Sequence, residues 1–167
     1  MTKSNLNKFF AENLTNTEIV DIEEYVVDFP ENFHYSSGLW AVWDYMDYLG
    51  KEKQKFVFLY ALYYLLKTKL IRLGCNNRLL DISPEEAVQS FIDRWPPDEW
   101  ISKTMVICYV IDRYEDSEEE WHLRYWTIGD LVWVYPDGEL SWSMDAANMD
   151  DPEPIEELPW IKSAQQS

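Results

Sequence analysis

The sequence predicts an α+β domain, with N-terminal helices packed on a C-terminal antiparallel sheet of about four strands. Three observations carry that expectation. Apolar residues recur at helical spacing through most of the first hundred positions. From Thr104 the period falls to two, and a hairpin with a definable turn closes the strand-rich part. At 167 residues, 47% of them apolar and 16% aromatic, the chain suits one globular unit with a proper core. The boundaries expected are a single domain over 1–144 and an acidic C-terminal tail over 145–167.

Residues 5–27 read as one or two helices. Thr15 or Asn16 is placed to cap the second, which carries Ile19, Ile22 and Val26 on one side and Glu18, Asp21, Glu23 and Glu24 on the other. A strand through Tyr25, Val26 and Val27 is the competing reading. Phe29-Pro30 ends either one, because the residue before proline avoids helical geometry. After a loop over 31–38, Leu39, Val42, Trp43, Met46 and Leu49 form an apolar stripe that Gly50 stops. The helix from about Lys51 to Lys69 carries Phe56, Leu59, Tyr60, Tyr63 and Leu66, flanked by Val57, Phe58, Leu62 and Leu65. A helix apolar on most sides is normally central.

Leu70 to Leu80 reads as a short hairpin turned at Gly74-Cys75-Asn76-Asn77. Ser83-Pro84-Glu85-Glu86 is a helix start with a capping box, and Val88, Phe91, Ile92 and Trp95 are its buried stripe up to Pro96-Pro97. Thr104 to Ile111 is apolar on both faces, as a central strand would be. Glu115 to Glu120 is a solvated loop, and Trp121 to Thr127 alternates. These strands and the hairpin of residues 130–143 are expected to form a consecutive meander. Asp145 to Glu157 reads as an extended tail, pinned at Leu158-Pro159-Trp160.

The hairpin's turn is Pro136-Asp137-Gly138, proline presetting φ and glycine taking the left-handed place. A three-residue loop there sets Tyr135 against Glu139, Val134 against Leu140, Trp133 against Ser141 and Val132 against Trp142. Val132, Val134, Leu140 and Trp142 then share one face, suited to a core. Trp133, Tyr135, Glu139 and Ser141 take the other, aromatic and acidic, which suits recognition.

The formal charge is −17, from 14 Lys+Arg against 31 Asp+Glu. That balance disfavours direct binding of nucleic acid or anionic lipid and favours encounter with a cationic partner, although solubility alone is the plainer reading. Residues 51–80 reverse the sign, with seven bases (Lys51, Lys53, Lys55, Lys67, Lys69, Arg72, Arg78) against Glu52. This basic stretch reads as helix-end lysines or as an internal or homodimeric contact with acidic parts. Cys75 and Cys108 lack metal or redox spacing, which suits a reducing compartment. The most apolar run, Phe56 to Leu66, is 11 residues and too short to span a bilayer. No secretory signal follows the first residues, so the cytoplasm is expected.

No catalytic or metal-binding motif occurs, His34 and His122 have no metal-like neighbours, and no cofactor or enzymatic activity is expected. Paired acids with aromatic platforms leave a carboxylate-dependent hydrolase as an alternative. The informative pattern is aromatics among acids. Asp98, Glu99, Glu118, Glu119, Glu120 and Glu139 would supply charge to a partner-binding surface, and Trp100, Trp133 and Tyr135 its anchors. Trp43, Trp95 and Trp142 read as core.

From Leu39 to Trp142 the chain resembles a small family of uncharacterised bacterial proteins, catalogued as a domain of unknown function. The residues that carry the likeness are Gly38 to Trp43, Leu70 to Gly74, Ser83 to Glu86, Phe91 to Pro96 and Val132 to Trp142. In character the chain is similar to immunity proteins of bacterial toxin systems, which are small, acidic and without catalytic motifs. That likeness implies binding and neutralisation of a basic toxin domain, such as a nuclease. An acidic nucleic-acid mimic, inhibiting a DNA-binding enzyme, is the other binding alternative.

Overall fold

The computed structural model describes residues 3–99, 109–113 and 121–165. Two helices, α1 (Lys3–Asn13) and α2 (Asn16–Val26), open the chain. Thr15 starts α2 with the capping box that its spacing to Glu18 allows: the Glu18 amide donates to Thr15 Oγ1 at 3.1 Å, and the Thr15 amide donates back to Glu18 Oε1 at 2.9 Å. Pro30 does not end a helix; it sits in the first turn of the short α3 (Phe29–Asn32), where its missing N–H costs nothing. The stripe from Leu39 is helical only over α4 (Leu39–Asp44), followed by turns to Gly50.

The core is arranged around α5 (Gln54–Lys67). Val57, Phe58, Leu59, Leu62 and Leu65 are fully buried, whereas Phe56 and Leu66 of the expected main stripe are half-buried. Phe10 packs edge-on to Tyr60 at 5.0 Å, and Phe58 lies between Trp43 at 5.5 Å and Trp95 at 5.9 Å. Helix α6 (Pro84–Arg94) begins at the Ser83 capping box and buries Val88 and Phe91 against α5.

The strands are β1 (Ile71–Cys75), β2 (Arg78–Leu79), β3 (Tyr109–Arg113), β4 (Trp121–Tyr125), β5 (Asp130–Val134) and β6 (Leu140–Trp142). Asn76 and Asn77, at φ 51° and 61°, turn the β1–β2 hairpin in the left-handed pair that asparagine tolerates. The fold class is α+β with a four-stranded antiparallel sheet, but its strands are not those of a consecutive meander. The order is β2-β1-β5-β6, while β3 and β4 form a separate two-stranded ladder. Residues 104–108 of the expected central strand lie outside the described residues. Strand β5 is apolar on both faces, so it needs a partner on each edge and a cover on each side. Ile71 opposite Trp133 and Leu73 opposite Leu131 supply the inner pairs.

The last hairpin has the register that its turn dictates, with Val132 opposite Trp142, Trp133 opposite Ser141 and Val134 opposite Leu140. Gly138 holds φ 90° in the turn. Its faces are the reverse of the expectation. Leu131 and Trp133 point into the helical layer, and the Trp133 indole N–H donates to the Ser37 carbonyl at 2.7 Å. Alternation could not separate the two sides, because both are apolar along β5.

Residues 143–165 are not extended throughout, since helical segments lie on either side of an irregular stretch over 149–154. Ser143 caps α7 (Met144–Asn148), which lies against β1 and β5 and buries Ala146. Gly74 lets Trp142 pack flat on the strand: a Cβ there would meet Trp142 Cζ3 at 2.5 Å. After a 3₁₀ turn (Ile155–Glu157), Leu158 and Trp160 are buried at the start of α8 (Pro159–Gln165), the pinning point expected. Arg94, itself buried, donates from Nε to the Trp126 carbonyl at 2.5 Å and from a terminal nitrogen to the Glu153 carbonyl.

Candidate functional site

Of the residues expected to bind a partner, five lie among the described residues, and they do not form one exposed acidic and aromatic surface. Asp98 and Glu99 are exposed beyond the end of α6, and Glu139 is exposed beside the β5–β6 turn. Asp98 faces Lys55, whose ammonium lies 5.3 Å over the Trp95 ring; burial lowers the Lys55 pKa, and Asp98 opposes that shift. Trp133 is 0% exposed and cannot act as a surface anchor, since its ring fills the space beside Phe33. Tyr135 is half-buried and stacked on Tyr35 at 4.1 Å. Trp100, Glu118, Glu119 and Glu120 lie outside the described residues.

Acid and aromatic do converge elsewhere, on the N-terminal helices. Tyr25, Tyr45 and Tyr48 are 38%, 53% and 41% exposed. Tyr25 packs on Tyr48 at 4.6 Å and on Phe29 at 5.3 Å; Phe29 in turn meets Tyr45 at 6.4 Å. Phe29 and Phe33 root the tyrosines in the core, which limits the entropy that a partner would have to remove. The surrounding charge is negative. Partial burial, then Asp21, Tyr25 and Glu18, push the Tyr48 pKa up to about 12; burial, Tyr45 and Asp47 raise that of Tyr25. Glu18 also binds Lys53 at 2.7 Å, and this hydrogen bond is the main reason its own pKa is lowered. Asp21, Asp44 and Asp47 are exposed.

A readable signal pointed to this patch. Between Lys8 and Lys51 the sequence has no lysine or arginine and nine acids, and the three tyrosines fall within that run. Tyr45 and Tyr48 also lie off the apolar stripe, beside Asp44 and Asp47.

Among the described residues the buried acid is Asp130. Its Oδ1 accepts from the Leu39 amide at 2.8 Å, from the Leu131 amide at 2.6 Å and from Ser143 Oγ at 3.4 Å. A carboxylate on β5 therefore satisfies the first amide of α4, 91 residues away in sequence. Its Oδ2 is buried without a hydrogen bond. Burial raises the Asp130 pKa to about 7 against the pull of those donors, and Asp145 adds to the rise. Asp130 lines none of the three cavities described among these residues. Among the described residues no three His, Cys, Asp or Glu side chains are grouped to hold a metal, and no helix is long and apolar enough to cross a membrane. Cys75 is a free, buried thiol directed at the Asp150 carbonyl at 3.5 Å.

Residues 66–143 match the family model described as a protein of unknown function, DUF596. A solved structure described as an uncharacterised protein conserved in bacteria, from Neisseria meningitidis, superposes with a TM-score of 0.54 at 18% identity, covering 84% of this chain and 100% of its own. At that identity the likeness concerns the fold alone. None of the curated proteins compared with the chain matches it. The chain thus resembles an uncharacterised bacterial domain family, and the segment that matches the family model, 66–143, holds the sheet's four strands and α6.

Proposed function

We propose that this protein binds a basic protein partner in the cytoplasm through the acidic tyrosine patch of Tyr25, Tyr45 and Tyr48, and that it acts as an immunity protein neutralising a cationic toxin domain. One observation carries the reading: three part-exposed, ring-packed tyrosines share a surface with Asp21 and Asp47, in a run of sequence free of lysine and arginine. Tyrosine is a favoured anchor of tight interfaces, and complementary charge raises the association rate. The chain's charge of −17 steers a cation toward the whole molecule, and the rings give it a place to settle.

The test is to identify the neighbouring genes and, where one encodes a large secreted protein with a basic C-terminal domain, to co-express the chain with that domain. The chain is expected to restore growth and to co-purify as a complex. Asp47→Lys is expected to slow association at least tenfold. Tyr45→Ala is expected to shorten the complex's lifetime by a similar factor, with both variants folded by circular dichroism. Added salt should lower the wild-type association rate and leave dissociation nearly unchanged. Growth that does not recover, or an association rate indifferent to salt and to Asp47→Lys, refutes the reading.

A further inference from the structure

Among the described residues, α7 lies against β1 and β5 at one end of the sheet. Val132, Trp142 and Gly74 lie toward α7, which seals them. Away from α7 a groove of about 480 Å³ opens, lined by Val134 and its partner Leu140, by Ile71 and Leu73 of β1, and by Leu66 of α5 and Ala87 of α6. That volume is within the range of small-molecule sites. Its apolar lining includes Leu140, 37% exposed, and Ile82, 39% exposed. Three cations, Lys67, Lys69 and Arg72, line it against one acid, Asp81. On a molecule of charge −17 this is a local reversal of sign over an apolar floor.

The backbone singles out one of the three. The Lys69 amide donates to the Leu66 carbonyl and the Leu70 amide to that of Leu65, which is the Schellman ending of α5. Lys69 is its left-handed residue, at φ 63°, where glycine is the usual occupant and a side chain costs about 1 kcal/mol. A lysine is held there against its backbone preference, in the wall of the groove. Neither Lys69 nor Arg72 forms an ion pair among the described residues.

We propose that this groove binds a small amphiphilic anion, a free carboxylate on an apolar body, with Lys69 and Arg72 taking the head group and Val134, Leu140 and Ile82 the body.

Isothermal titration of the full chain with sodium dodecanoate, below its micelle concentration, tests this. One-to-one binding is expected, at least tenfold tighter than that of dodecyltrimethylammonium or dodecanol. Lys69→Gly separates the head-group role from folding: its melting temperature should be unchanged or higher, and its dodecanoate affinity at least fivefold lower. Arg72→Gln should weaken binding similarly, and Leu140→Asp should abolish it while the chain remains folded. Equal affinity for the cationic amphiphile, full affinity in Lys69→Gly and Arg72→Gln, or binding only to vesicles containing phosphatidylglycerol overturns the proposal.

Discussion

Asp130 accepts three hydrogen bonds through one oxygen and none through the other, so its environment is built for an acceptor but not for a full charge. Its pKa is about 7 in the folded protein against 3.8 ordinarily, so the fold binds the proton more tightly than the unfolded chain does. The resulting contribution to stability is complete below about pH 3.8 and is lost as the pH rises to about 7, at up to ~1.4 kcal/mol per unit. Asp130→Asn keeps the acceptor for Leu39 and cannot ionise. Its stability relative to wild type should climb between pH 4 and 7 and level off above, as read by urea unfolding across that range. A constant difference would show that the carboxyl does not titrate there. Trp133 carries a related lesson. Its place opposite Ser141 was legible from the turn, but its direction was not, because the alternation that separates core from surface fails when both faces are apolar.

Among the elements, those that are locally determined were the most legible. Both capping boxes, at Thr15 and Ser83, follow from short-range chemistry and need no knowledge of the rest of the chain. Ser83→Ala removes the acceptor for the Glu86 amide and should cost about 1 kcal/mol, measured as a lower denaturant midpoint at unchanged slope. Strand partnership was not legible, since β1 and β5 are joined by the burial that each needs and not by any turn between them. The acidic stretch after Asp145 is read as a tail from composition alone. The apolar pair Leu158 and Trp160, readable as its pinning point, holds its far end, whereas the Arg94 bond to the Glu153 carbonyl has no sequence signature. For the tyrosine patch the acidic run was readable but the convergence of the rings was not, because contacts among Tyr25, Tyr48 and Phe29 join residues from different helices and turns.

Over the whole molecule, charge is the dominant variable. With 31 acids against 14 bases, the folded state repels itself at low ionic strength. Raising sodium chloride from about 10 mM to 150 mM shortens the screening length from ~30 Å to ~8 Å, and the melting temperature should rise with it. A melting temperature that falls over this range would mean that attractive pairs outweigh the repulsion. The same screening should slow partner capture, so stability and association are expected to respond to salt in opposite directions. The pairing of Ile71 with Trp133 has a separate consequence. These partners are 62 positions apart in sequence, and Arg94 waits a further stretch for Glu153. On the ribosome, the helical half therefore emerges with its inner apolar side uncovered until the strand bearing Trp133 is made. Chaperone demand should peak in that interval, and a pause placed there would lengthen the exposure.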